Sequence, residues 1–553
     1  MRNLRNVFCR QFAGYRKYEY KGDYMKELMK IRIKWFYCIF SALFSLMLVF
    51  SMHVFYDPEG MGTVDNVYFK DLHIVDLFVW IILFTLIYVV ISFLPKVRKE
   101  IFFGTKREGK CIAQFFITFF VMVVCYFPYV ASFWPGGVYS DTMGSIDIAL
   151  GLEKMTSHEP IGYTLLWMIM YKIAGGSLNP GDYGAMYLFT VVQTLAMILL
   201  LSFFVNWLYR RGLKKLVCVA ITLFFSLCSL YPFYCVSLWK DTVFGMIIFG
   251  YSWFLYCFIE NIKVKEDVSK GYLFGLVLLT VCVMFFRNNG IYVAVITGII
   301  AVFVIREYRK ALKKVIISLV ITTAACIIIK YPVFNALGYN VDSKIESLGI
   351  PLQQTSYILC TGGTVSESSL EVLDSIIPIE QWHSVYNPTV VDSIKFDPSF
   401  DRDWFNENVG LFMKTYLRLC CENPVKAVKA YLLTTMGYWD TFKSSSSAYI
   451  CPKSIAWTGI FQEDYFGYYT DISFQNAVMP RHYISAAVFA WLGIFVLFFL
   501  LENKRSGDIL PLIPALAVWF TIMLAAPLAF SFRYVFAVFL CAPIYLLCLG
   551  ESA

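Results

Sequence analysis

Charge is what this chain has least of. Only 16% of its 553 residues are Asp, Glu, Lys or Arg, against 59% hydrophobic residues. Soluble domains run near a quarter charged, so the deficit excludes an ordinary soluble globule. Histidine is scarce as well, with 5 in the chain. Neither a His-Glu-x-x-His helix nor a Cys–His spacing occurs, which disfavours zinc hydrolysis. There is no G-x-x-x-x-G-K loop and no G-x-G-x-x-G after a strand, so a cytosolic nucleotide is not expected to activate the substrate. The 16 cysteines lie mostly inside apolar runs without ligand spacing. In the large polar region, Cys360, Cys420, Cys421 and Cys451 leave room for one disulfide. Internal repeats and low-complexity segments are missing too.

Apolar runs near the ~20 residues needed to cross a bilayer are what the chain does have. They fall at 35–55, 75–94, 112–133, 161–174, 183–208, 216–232, 242–258, 272–286, 290–305, 315–333, 485–501, 509–526 and 534–549. All must be helical, because backbone groups facing lipid cannot go unpaired. The expected fold class is therefore an all-α polytopic membrane protein with about 12–13 hydrophobic helices. Residues 1–34 form a basic tail, and 35–111 hold two additional N-terminal helices. Residues 112–333 make a helical core with a polar loop at 134–160, and 334–482 a mostly helical extramembrane domain. Residues 483–553 supply the last helices. Some thirty basic, polar residues precede the first apolar run, which predicts an uncleaved anchor rather than a cleaved leader.

The net charge of +8 sits in short loops, so it reads as topology and not as a nucleic-acid surface. Basic clusters at the N-terminus, 96–110, 210–215, 263–270, 306–314 and 504–505 all belong on the cytoplasmic side by the positive-inside rule. They agree only if a single net crossing occurs between Pro160 and Arg210. The segment 161–174 is short for a span, so it is expected not to cross. With that choice Asp141 and His158, Lys240 and Asp241, Arg287 to Asn289, the 334–482 domain and Arg533 all fall on the exoplasmic side. Charges at a membrane edge are costly and usually functional.

The loop at 134–162 carries the first candidates. Pro135-Gly136-Gly137 turns the chain just before Asp141. A carboxylate there suits a general base, and Ser140 or Asp141 as the N-cap of a helix over 142–152 is the alternative. Asp147, six residues on, could share a divalent metal with Asp141. His158 and Glu159 open the short helix, either as functional groups or as an interfacial histidine and a first-turn charge. Lys240 either pairs with Asp241 or stays free for an anionic head. Arg287, Asn288 and Asn289 interrupt an apolar run, and Arg533-Tyr534 opens the last helix. The arginine fork suits phosphate, and three cations on one side favour a phosphate site over snorkelling anchors. Gln353, Gln354, Trp382 and His383 have the chemistry to hold a sugar, with ordinary domain packing the favoured reading.

The order of these motifs resembles the GT-C class of membrane glycosyltransferases. Asp141 matches the acid of the early exoplasmic loop in that class. His158-Glu159-Pro160 matches its helix-opening motif, with Glu159 where a proline is usual. The set Pro135-Gly136, Ser140-Asp141-Thr142, His158-x-Pro160, Lys240-Asp241, Arg287-Asn-Asn-Gly290, Pro351-Leu-Gln-Gln354 and Arg533-Tyr534 is similar to a family of largely uncharacterised bacterial multi-pass proteins. That likeness covers most of the chain beyond about Ile112.

The resemblance implies transfer of a sugar from a polyprenyl-phosphate donor to a glycan, lipid or protein acceptor at the outer face of a bacterial plasma membrane. It gives Asp141 the role of base, and Arg287, Arg533 and Lys240 that of phosphate ligands. Metal dependence stays open. A transporter or flippase would put charges near the bilayer midplane between inverted repeats. A polymerase or ligase of lipid-linked glycans is a close enzymatic relative of the favoured reading.

Overall fold

A computed structural model describes residues 33–57, 65–94, 102–107, 112–156, 158–175, 184–337, 339, 344–444, 484–525 and 528–550. Cys451, the N-terminal tail and residues 445–483 lie outside the described residues. The protein is mostly helical, and the apolar runs read from the sequence are its helices. Among the described residues, eight helices are long and apolar enough to cross a membrane, or nine if the bent pair at 215–236 is one span. Four shorter apolar helices accompany them. The chain is a multi-pass membrane protein.

In order, the elements are α1 (Trp35–His53), the short antiparallel strands β1 (Val54–Tyr56) and β2 (Val67–Phe69), α2 (Ile74–Ser92) and α3 (Ile112–Ser132). A short helix, α4 (Ser140–Ala149), precedes α5 (Ile161–Ile173), α6 (Gly184–Arg210), α7 (Lys215–Leu227) and α8 (Leu230–Val236). Then come α9 (Lys240–Lys265), α10 (Lys270–Phe286), α11 (Gly290–Val304) and α12 (Arg309–Ile328). A π turn, Ile329–Val333, carries α12 on to Ala336. The bundle closes with α13 (Ala487–Glu502) and the spans Ser506–Leu524 and Phe532–Leu549.

Contacts sort the helix connections to two ends of the bundle. At one end the basic loops meet each other. Phe103 bridges Leu213, and Arg107 stacks 3.8 Å over the Tyr209 ring. Arg211 reaches Glu260 at 2.6 Å, Lys263 reaches Asp508 at 2.6 Å, and Lys314 reaches Asp267 at 2.8 Å. The amide of Phe36 donates to Glu502, so the start of α1 belongs there too.

The connections carrying Asp141, Glu159, Lys240, Arg287 and Arg533 meet at the other end. The start of α6 is also at this end, since Tyr187 stacks on Trp134 at 4.9 Å and Thr190 donates to the Pro135 carbonyl. The helices α5 and α6 therefore both begin at this end. With 13 residues, α5 rises about 20 Å, short of the ~30 Å hydrocarbon core. Trp167, midway along α5, stacks on Phe189 in the second turn of α6 at 4.3 Å.

Residues 344–444 form a helical body over the site end. Its helix Val409–Glu422 buries Phe412, Thr415 and Leu419, spaced to make one inward stripe. It packs with Gly349–Cys360 and Pro424–Thr434. The Asn423 side chain locks the Thr364 backbone with bonds of 2.8 and 2.9 Å. Two backbone bonds fasten this body to the bundle, Gly437 N to Ala529 O at 2.9 Å and Ala529 N to Thr389 O at 2.8 Å. Gly437 is required there, because a Cβ would lie 2.2 Å from the Ala529 oxygen. Cys360, Cys420 and Cys421 are free thiols.

Candidate functional site

The polar loop reaches its place by backbone pairing. Gly137 donates to the Val236 carbonyl at 2.7 Å and accepts from the Leu238 amide at 2.9 Å. Gly136 adopts φ +122° with Thr190 and Leu238 packed against it, a position without room for a Cβ. Tyr139 stacks on Trp239 at 4.2 Å. Thr142 and Tyr163 both donate to the Leu238 carbonyl, tying α4, α5 and the start of α9 together. This lattice sets Asp141 beside Lys240.

Asp141 lies in the first turn of α4. Tyr139 occupies the N-cap position with no side-chain bond, so neither Ser140 nor Asp141 caps the helix, and the helix is Ser140–Ala149 rather than 142–152. Asp141 Oδ2 instead accepts from Arg533 Nη1 at 3.1 Å and lies 3.7 Å from Lys240 Nζ. Burial by itself would raise this carboxyl. Lys240, then Arg533, then His158 and Arg287 outweigh it and hold the group well below the usual carboxylate range. Asp141 is therefore ionised at neutral pH.

Lys240 Nζ also donates to Glu159 Oε2 at 3.4 Å, and Ser145 Oγ donates to the same oxygen at 2.7 Å. Glu159 is only 5% exposed. The residue that departs from the usual proline is thus a buried carboxylate packed against α4. His158 Nε2 stands 3.9 Å from Glu159 Oε1, and its carbonyl accepts from Asn288 Nδ2 at 2.9 Å.

Lys240 does not pair with Asp241. Asp241 is buried and faces Arg287, whose Nη1 lies 2.7 Å from Oδ1, off the line of a hydrogen bond and so a charge contact. Arg287 Nη1 also donates to the Tyr534 carbonyl at 3.2 Å, and Arg533 Nη2 donates to the Tyr534 hydroxyl at 3.0 Å. The guanidinium of Arg533 stands 5.3 Å over the Trp239 ring. The three expected phosphate cations are gathered in one place, each already facing a carboxylate.

Other expected members are not part of this cluster. Asp147 is six residues along α4 from Asp141, about 240° around the helix and ~9 Å up it. Its carboxyl is raised by burial and by Glu153. The two do not form the carboxylate pair that could have held a divalent metal. Among the described residues, no group of three His, Cys, Asp or Glu is arranged to bind one. Asn289 turns away to donate to Thr521 at 2.8 Å. Gln353 donates to Asn387 O, and Gln354 donates to Ala427 O while accepting from Tyr416. Both amides are buried within the helical body. Trp382 is wholly buried there too, bonded to Ile377 O. Packing accounts for all three.

Two residues at the site were missed by the sequence reading. Ser145 had no signal beyond its place on α4. Lys330 sits inside an apolar run, a signal that was there to use. It is 9% exposed and donates to Asn288 Oδ1 at 3.0 Å.

No curated protein and no solved structure matches the chain. A family pattern does match, over residues 153–553. The match takes in His158, Glu159, Lys240, Arg287, Lys330 and Arg533, and begins twelve residues after Asp141. The chain belongs to this family, a family of unknown function (DUF6020).

Proposed function

We propose that this protein is a GT-C-like glycosyltransferase that moves a sugar from a polyprenyl-phosphate carrier to an acceptor hydroxyl at the exoplasmic face of a bacterial cytoplasmic membrane. One observation carries the reading. An ionised carboxylate, Asp141, stands within 4 Å of two cations delivered by the starts of two apolar helices. A lipid-linked phosphosugar presents a phosphate and an anomeric carbon at that boundary. The basic loops at the opposite end support a cytoplasmic N-terminus and an outward-facing site.

In this reading the acceptor hydroxyl gives its proton to Asp141 as its oxygen bonds to the anomeric carbon. The bond from that carbon to the phosphate oxygen breaks, and polyprenyl phosphate leaves with the electron pair. Attack opposite the leaving group inverts the anomeric centre. Arg533, Lys240 and Arg287 stabilise charge as it builds on the phosphate. Phosphate binding also changes the base. Held by Lys240 and Arg533, Asp141 is a weak proton acceptor; once a phosphate shares those cations, its affinity for a proton rises toward the ordinary value. The donor thereby activates its own base.

The test is purified protein in lipid vesicles with a panel of polyprenyl-phosphate sugars and a mixed acceptor extract. Transfer with inverted anomeric configuration is expected. Transfer from none of the donors would remove the reading.

A further inference from the structure

Tyr534 touches both arginines of the cluster, yet the proton transfer described above gives it no task. Its hydroxyl oxygen accepts from Arg533 Nη2 at 3.0 Å, and its carbonyl accepts from Arg287 Nη1 at 3.2 Å. Its ring centre lies 4.8 Å from the Arg533 guanidinium and 5.0 Å from that of Arg287. The turn Phe532–Val535 that carries it is fixed by the helical body. Within that turn the Tyr534 amide donates to the Ser531 carbonyl at 3.3 Å. Just before it, the buried Tyr438 donates its hydroxyl to the Leu528 carbonyl at 2.6 Å, and Trp519 Nε1 holds the Tyr438 carbonyl at 2.8 Å.

An arginine beside a carboxylate commonly closes on it with two parallel hydrogen bonds. Arg533 does not. Its Nη1 donates to Asp141 Oδ2 at 3.1 Å, the one bond between the two among the described residues, while Nη2 is turned to Tyr534. The two nitrogens of one fork therefore serve different residues. Of the three carboxylates in the cluster Asp141 is the least buried, with 25% of its side chain exposed, so an incoming phosphate meets that one first. Exchange of phosphate for Asp141 at Arg533 then breaks a single bond. Without the Tyr534 hydroxyl, Nη2 has no acceptor there and the fork is free to give Asp141 its second bond.

We propose that Tyr534 is a positioning residue that keeps the Arg533–Asp141 pair half open, taking Nη2 so that the fork cannot close on the carboxylate before a phosphate arrives. The proposal rests on the transferase reading for the identity of the ligand, a lipid phosphate. It adds to that reading the residue that keeps Arg533 available and Asp141 replaceable.

The test is a double-mutant cycle on the full-length protein in detergent micelles, read by binding of a fluorescent short-chain isoprenyl monophosphate. Tyr534→Phe keeps the ring and the backbone and removes the acceptor; it should weaken binding by about tenfold, the worth of one charge-assisted hydrogen bond. Asp141→Asn should bind the probe at least as tightly as wild type, because a neutral amide competes poorly for Arg533. In that background Tyr534→Phe should change binding by less than about twofold, since no carboxylate is left for the fork to close on. Tyr534→3-fluorotyrosine, a weaker acceptor of nearly the same size, should fall between wild type and Tyr534→Phe. A merely structural role would weaken binding alike in both backgrounds, and that result would overturn the proposal. So would unchanged binding in Tyr534→Phe, or no binding of the probe to wild type. Inorganic phosphate should displace the probe poorly, because the cluster lies at the starts of apolar helices where a lipid chain partitions; equal displacement overturns a lipid phosphate as the ligand. The two readings fail separately. The expected cycle without any sugar transfer contradicts the transferase alone, and sugar transfer with equal losses in both backgrounds contradicts the role of Tyr534 alone.

Discussion

The two ends of the helix bundle use the same residue types to opposite effect. At the basic end, Lys263 and Asp508 pair with side chains 43% and 26% exposed, and Lys314 and Asp267 with 46% and 40%. Water shares those contacts, so they add little stability and chiefly mark a side of the membrane. At the other end, the side chains of Lys240, Glu159, Arg287 and Asp241 are 13%, 5%, 11% and 0% exposed. Taking these charges out of water costs more than their attraction reliably returns. Apolar residues would hold that end together at least as well. Buried ionic groups that stability does not explain are what the proposed transferase site would require.

The sharpest way to break this contrast is to remove one member of a pair at each end. Arg287→Met strands the Asp241 carboxylate with no cation at 2.7 Å, and about 3–5 kcal/mol should be lost. The double variant with Asp241→Asn should recover most of it, as read by thermal unfolding in micelles. If the single variant unfolds like wild type, the buried pair is not strongly coupled. Gly136→Ala should cost about 1–3 kcal/mol by the same assay, since its Cβ would meet Thr190 in a positive-φ backbone.

A pH effect on the rate comes next. Asp141 must be ionised to accept a proton, so activity falls as pH drops through its pKa. For the free protein, reported by kcat/KM, that limb should lie below the usual carboxylate range of ~3.9, because Lys240 and Arg533 hold the group down. With donor bound, reported by kcat, it should move up as the phosphate draws on the same cations. A limb that moves down on binding contradicts donor activation of the base. The smallest effect is expected at the basic end, where Lys263→Met should change stability by less than about 1 kcal/mol.

Much of this layout was legible in the sequence because lipid leaves the chain few choices. Apolar length identified the helices, and the clustering of Lys and Arg required one net crossing between Pro160 and Arg210. The starts of α5 and α6 at the same end agree with that requirement. Partner choice was not legible. Lys240 and Asp241 are neighbours in sequence, yet a helix turns adjacent side chains about 100° apart, and each finds a partner from another element. The six-residue spacing already set Asp147 off the helix face of Asp141, so their sharing a metal was only a possibility, and the rotation keeps them apart. Gln353 and Gln354 carry sugar-binding chemistry, but their helix buries them against Asn387, Ala427 and Tyr416. Lys330 was passed over because a single charge does not disturb an apolar run read by its average.

The most direct measurement compares sugar transfer by wild type and Asp141→Asn, with donor binding followed in the same vesicles. Loss of the base should slow turnover by about 10²–10⁴-fold. Donor should still bind, because Arg533 and Lys240 lose a competing carboxylate. Equal turnover in the two proteins would contradict Asp141 as the proton acceptor and the account built on it.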